Sequence, residues 1–120
     1  MNLSQIIKTL VSEIKLTETQ AKIFLHIVIH GKMNTSKLSS DLNISLDDAT
    51  QNSKKLVELG GFIDMPNDEF EAMHPRFTAV NMYRKMCERE QKEFKKNLSI
   101  DNIGVALEVS YDDARTKYNK

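Results

Sequence analysis

Tryptophan is missing from this chain of 120 residues, and three other residue types are scarce: one Cys, two Pro and four Gly. A lone cysteine, Cys87, excludes an internal disulfide, so the fold must rest on its hydrophobic core. It also fits a reducing, cytoplasmic setting. So little Gly and Pro argues against a low-complexity chain and for a helix-rich one. No apolar run approaches the ~20 residues that a membrane span requires. The opening, MNLSQIIKTLVSEIK, sets lysine and glutamate inside its apolar pattern, which reads as an amphipathic helix and not as a signal peptide. No glycine-rich phosphate loop, nucleophile elbow or carboxylate pair at catalytic spacing occurs. We therefore expect no enzyme, no cofactor and no small-molecule ligand.

Net charge is lacking too: 17 basic residues balance 17 acidic ones. The distribution is uneven. Residues 33–75 carry three lysines against eight acids, and residues 76–98 carry seven bases against three acids. Overall neutrality argues against strong non-specific affinity for DNA, which depends on phosphate neutralisation.

Apolar residues Leu3, Ile6, Ile7, Leu10, Val11 and Ile14 fall at helical spacing. Thr17 and Gln20 form a capping-box pattern, so a second helix starts at Thr17 and stops at Gly31. Asn34 suits the cap of a third helix, TSKLSSDL, whose core pair is Leu38 and Leu42. Asn43 stands where a tight turn needs the left-handed region, and Ile44 plugs that turn into the core. Ser45 caps the next helix, which runs to Leu59 and ends at Gly60 and Gly61. FIDM and EFEAM, separated by PND, read as a hairpin, and Pro75 suits the first turn of a further helix. Over residues 76–98 a stripe of Phe77, Val80, Tyr83, Cys87 and Phe94 marks a long basic helix. Such a stripe either seals a dimer or packs back on its own core, and we expect the dimer.

The expected fold is therefore mainly α with a small two-stranded antiparallel wing. It is a winged helix-turn-helix over residues 1–75 with an added N-terminal helix, a long helix over 76–98 and a helical tail over 99–120. The segment LTETQAKIFLHIVIHGKMNTSKLSSDLNISLDDATQNSKKLVELGGFI resembles the winged helix-turn-helix of archaeal TrmB-type transcription regulators. The matching positions are Leu16, Thr17, Ala21, Leu38, Leu42, Leu56 and Gly60, then Phe70, Ala72 and Pro75 after the wing. MarR- and ArsR-like domains share much of this pattern. The resemblance implies a homodimer that binds double-stranded DNA and regulates transcription. It implies no effector site, because the sugar-sensing domain of the long members has no room here.

Helix 45–59 would enter the major groove. Its readable face is Thr50, Gln51 and Lys54: Gln pairs bidentately with adenine, Thr touches a thymine methyl, and Lys reaches guanine or phosphate. Lys37 and Lys55 would add contacts, and Arg84, Lys85 and Arg89 on the basic helix would meet phosphates. The bland reading of each is a solvated helix face. The same helix opens with Asp47 and Asp48, and the wing turn carries Asp68 and Glu69. Carboxylates in a first helical turn are stabilised by the helix dipole, by ~0.3–1 kcal/mol each. Near phosphates they oppose binding. The alternative function is thus a winged-helix protein-interaction module that does not bind DNA through this acidic face.

Two further patterns stand out. LSSDLNISLDDATQNSKK and IGVALEVSYDDARTKYNK align without a gap, so the tail reads as a second helix-turn-helix pair, made more basic by Arg115, Lys117 and Lys120. Its second helix, 110–118, would bury Tyr111 or Ala114. The bland reading is convergent capping chemistry. His26 and His30, four apart, have the spacing of a metal pair, but with no third ligand nearby they read as packing residues, and we expect no metal.

Overall fold

A computed structural model describes residues 1–116. Most of them are helical. Helices α1 (Leu3–Glu13) and α2 (Glu18–His30) lead through a two-residue strand β1 (Met33–Asn34) to α3 (Thr35–Leu42) and α4 (Leu46–Glu58). Strands β2 (Ile63–Met65) and β3 (Glu69–Glu71) follow, then α5 (Pro75–Arg89) and α6 (Leu98–Thr116).

Local chemistry sets most of these boundaries. Thr17 accepts the backbone N–H of Gln20, and the Gln20 side chain accepts that of Thr17, which closes the capping box at the start of α2. Asn2 and Gln5 do the same for α1. Gly31 ends α2 at φ 94°, a conformation that costs a residue with a Cβ. The hairpin turns at Pro66, Asn67 and Asp68. Asn67 and Asp68 have φ of 65° and 57°, where short polar side chains are tolerated best after glycine.

The sheet is antiparallel and three-stranded, in the order β1-β3-β2, and not the two-stranded hairpin read from the sequence. Phe70 at its centre lies opposite Met33 on one side and Asp64 on the other. Phe24, Phe62 and Phe70 stack in a row with centroids 6.1 and 6.2 Å apart, joining α2 to the sheet. The core continues through Ile6, Leu10, Ile23, Ile27, Leu38 and Leu56 to Ile100, Ile103 and Leu107 of α6.

The C-terminal third departs from expectation in three ways. The helix expected over 76–98 stops at Arg89. Gln91 turns left-handed at φ 55°, and the Lys92 N–H donates back to the Cys87 carbonyl. Asn97 then starts a new helix by accepting the N–H groups of Ser99 and Ile100. The dimer stripe does not form one exposed seam. Cys87 is buried, Val80 and Tyr83 pack on the chain's own core, and Phe94 lies beyond the end of α5 with its ring 6.0 Å from Tyr83; Phe77 alone of the helical four is open to solvent. Finally, the tail forms one unbroken helix, α6, and not a helix-turn-helix pair. In the alignment of the two copies, Asn43, with φ 54° and ψ 48°, corresponds to Glu108. Glutamate has no short side chain to offset the left-handed strain, so the helix runs on. The expected burial does occur within it: Ala114 is buried and Tyr111 packs against the core. Lys117 and Lys120 lie outside the described residues.

Helix α6 packs on α5, α2 and α1, so it belongs to the same core as the first 75 residues. It crosses α5 closely at Gly104, where an added Cβ would lie 2.7 Å from the Arg76 Cα. Arg115 fastens its far end. The guanidinium donates to the Val28 and Ile27 carbonyls near the end of α2, pairs with Glu71 of β3 and stacks 3.8 Å over the Tyr111 ring.

Candidate nucleic-acid interface

Helices α3 and α4 are joined by a three-residue turn whose geometry is fixed by side chains. Asn34 accepts the Lys37 N–H at 2.8 Å and starts α3. Asn43 takes the left-handed conformation. Ser39 Oγ donates to the Ile44 carbonyl at 2.6 Å, holding the turn against α3. Ser45 accepts the Asp48 N–H at 3.0 Å and starts α4. Asp47 and Asp48 thus lie in the first turn of α4, where the helix dipole favours them.

Ala49, Ser53 and Leu56 turn α4 inward. The opposite face presents Asp47, Gln51, Lys54, Lys55 and Glu58, all exposed. Thr50 is half-buried, and its hydroxyl donates to the Leu46 carbonyl at 2.8 Å, so its methyl is the group left for contact. Lys55 pairs with Glu58 at 3.3 Å. Lys54 has no ion-pair partner among the described residues. It lines a shallow groove between α4 and the hairpin, shared with Val57, Asp64, Met65, Asp68 and Phe70. Three of the expected contact residues, Gln51, Lys54 and Lys55, therefore share one face, but Asp47 and Glu58 share it with them.

The other candidates are dispersed. Lys37 is exposed on α3 and pairs with Asp41 at 3.3 Å. Asp41 also meets His26 Nε2 at 2.8 Å. The hydrogen bond from His26, with Lys37 beside it, holds the Asp41 carboxyl below its ordinary value of 3.8 despite some opposing desolvation. Arg84, Lys85 and Arg89 lie along α5, and the first two stand near the C-terminal end of α4. Asn81 donates to the Gly60 carbonyl at 3.2 Å, and the Lys85 stem runs beside Gly60. Arg84 is engaged by Glu88 and Asn81.

Of the two helical histidines, His26 is committed to Asp41, and the ring centroids of His26 and His30 are 4.5 Å apart. A second histidine cluster escaped the sequence reading, because its members come from two distant segments. Potential ligand atoms of His74, Glu108 and Asp112 lie within 4.8 Å of one another. Two of its three members are already engaged. His74 Nδ1 accepts the Arg76 N–H at 3.1 Å, and Glu108 holds the Arg76 guanidinium at 2.8 Å. With Nδ1 accepting, a neutral ring keeps its proton on Nε2, and the lone pair that a metal needs does not face the carboxylates. His74 serves as the cap of α5, and Glu108 braces that helix start through Arg76.

Compared with known proteins, the chain matches no family model, no curated protein and no solved structure.

Proposed function

We propose that this chain is a winged helix-turn-helix protein that binds double-stranded DNA as a homodimer in the cytoplasm and regulates transcription. The single observation that carries the reading is the outward face of α4, where Gln51 and Lys54 stand exposed one turn apart on a helix held by a side-chain-locked turn. Such a helix is the element that reads base edges in the major groove. Gln51 would pair with adenine, Lys54 would reach guanine or phosphate, and the Thr50 methyl would pack on thymine. Asp47 and Asp48 act as helix-stabilising charges in the first turn of α4.

A second reading is favoured by a specific observation. Asp47 and Glu58 share the outward face, and Asp64 and Asp68 line the groove beside Lys54. Such a surface suits a basic protein partner.

Fluorescence anisotropy of labelled duplex DNA, titrated with protein at several salt concentrations, separates the two. The DNA reading requires binding that weakens with salt and that falls for a Gln51→Ala, Lys54→Ala double variant. Each lost base contact should cost about 1–3 kcal/mol in discrimination between sequences. Absence of binding at ~50 mM salt, where phosphate contacts are strongest, would leave the protein-partner reading.

A further inference from the structure

Helix α6 carries an apolar stripe on the side away from its own core. Leu98, Val105 and Val109 are 68%, 54% and 70% exposed, although Ile100, Ile103 and Leu107 of the same helix are buried. At 100° per residue these three and Asn102 fall within an arc of roughly 60°. Their spacing, four then three then four, is that of a coiled-coil seam, with one polar residue in it. We propose that this seam is the surface on which a second copy of the chain docks, α6 against α6, in antiparallel orientation. The inference gives the homodimer of the preceding section a defined face, and it does not depend on DNA.

Charge fixes the occupant and the orientation. In an antiparallel pair about a two-fold axis, Leu98 meets Val109 of the second copy and Asn102 meets its Val105. Lys95 and Lys96 stand just before the Asn97 cap, outside the helix, at the end of α6 that an antiparallel partner brings near Asp112 and Asp113 at its own far end. The basic flank Lys95 and Lys96 thereby meets the acidic end Asp112 and Asp113. In the single chain Lys95 and Lys96 have only weak, exposed pairings, at 3.6 Å to Glu93 and 3.9 Å to Asp101. A parallel pair would instead stack Asp112 on Asp112 and align the two helix dipoles, both unfavourable. Of the other acids along the flank, Glu108 is already engaged by Arg76 of its own chain. A two-fold pairing of this kind is closed, so it yields a dimer and not a filament. Asn102 opposite Val105 lowers affinity but fixes register.

The test is the mass in solution by light scattering over a range of protein concentrations. The wild type should approach twice 13.8 kDa as concentration rises. Val105→Glu should hold it at 13.8 kDa, with helix content by circular dichroism unchanged because Val105 is 54% exposed and lies outside the core in the single chain. Asp112→Lys should raise the dimer dissociation constant several-fold, and Lys95→Glu combined with Asp112→Lys should restore it. A wild type that stays monomeric at every concentration overturns the proposal. So does a dimer that survives Val105→Glu, or one that the paired charge reversal fails to rescue. DNA binding is read separately by anisotropy, so failure of the groove-reading helix and failure of this seam are distinguishable.

Discussion

Arg115 couples three elements that are far apart in the chain. Its guanidinium satisfies carbonyls near the end of α2, neutralises Glu71 and stacks on Tyr111. Arg115→Met keeps much of the stem packing but removes the charged hydrogen bonds, which contribute about 1.5–3 kcal/mol. We expect a lower urea midpoint with an unchanged slope. Arg115→Lys should recover only part, because an ammonium cannot serve two carbonyls and a carboxylate in one plane. Asp41 gives a pH signature. Its folded carboxyl titrates below its ordinary value of 3.8, mainly through the His26 hydrogen bond. The stabilisation is therefore complete above that ordinary value and is lost as pH falls through the lowered one. The stability advantage of wild type over Asp41→Asn should hold at neutral pH, begin to shrink as pH falls below 3.8 and vanish only below the lowered value, as read by urea denaturation at each pH.

At the scale of elements, the helix starts and stops were legible in the sequence because they depend on neighbours. Thr17 with Gln20, Asn34, Asn43, Ser45, Gly31 and Pro75 each act within about one helical turn, and each is found in its expected role. Three features were not legible. Strand β1 is two residues long and exists only because Phe70 and Glu69 pair with it from far along the chain. The end of α5 at Arg89 and the Asn97 cap were hidden by Phe94, which completes a helical stripe in sequence but not in space. The tail copied the pattern of residues 38–55 but lacked its left-handed turn residue, and one Glu in place of one Asn changed a turn into a helix. Of the candidate site, the α4 face was legible from periodicity alone. The ion pairs that occupy Lys37, Lys55 and Arg84 were not, since they depend on side-chain geometry.

Two element-level outcomes follow from the packing. Gly104→Ala sets a methyl 2.7 Å from the Arg76 Cα, so α5 and α6 must separate; overpacking of this kind costs about 1–3 kcal/mol, measurable by denaturation. Asp47→Asn with Asp48→Asn removes favourable dipole charge from the start of α4, about 0.3–1 kcal/mol per residue, so stability should fall. If α4 meets phosphates, the same variant should bind DNA more tightly at low salt. Opposite signs for stability and affinity identify the aspartates as capping charges beside a DNA-reading face. Equal affinity for both proteins would sink that role.

For the whole molecule the deciding quantity is how many cations remain available. Six of the candidate contact residues are basic, yet Lys37, Lys55 and Arg84 are held by Asp41, Glu58 and Glu88. Lys54, Lys85 and Arg89 have no ion-pair partner among the described residues. Each phosphate neutralised contributes about 0.9 to the slope of log affinity against log salt. Three per protomer give a slope near −3, and a dimer seated on two half-sites gives roughly −5. Exposed ion pairs are weak, so a close phosphate can recruit Lys37 or Lys55 and steepen the value. The α6 seam and the α4 face then become separable in one titration series. Val105→Glu should reduce the slope toward the single-protomer value, while Lys54→Ala should reduce it by about 0.9 for each copy bound. A slope near zero for wild type would mean that the acids on α4 and the hairpin, not the three free cations, determine what this protein holds.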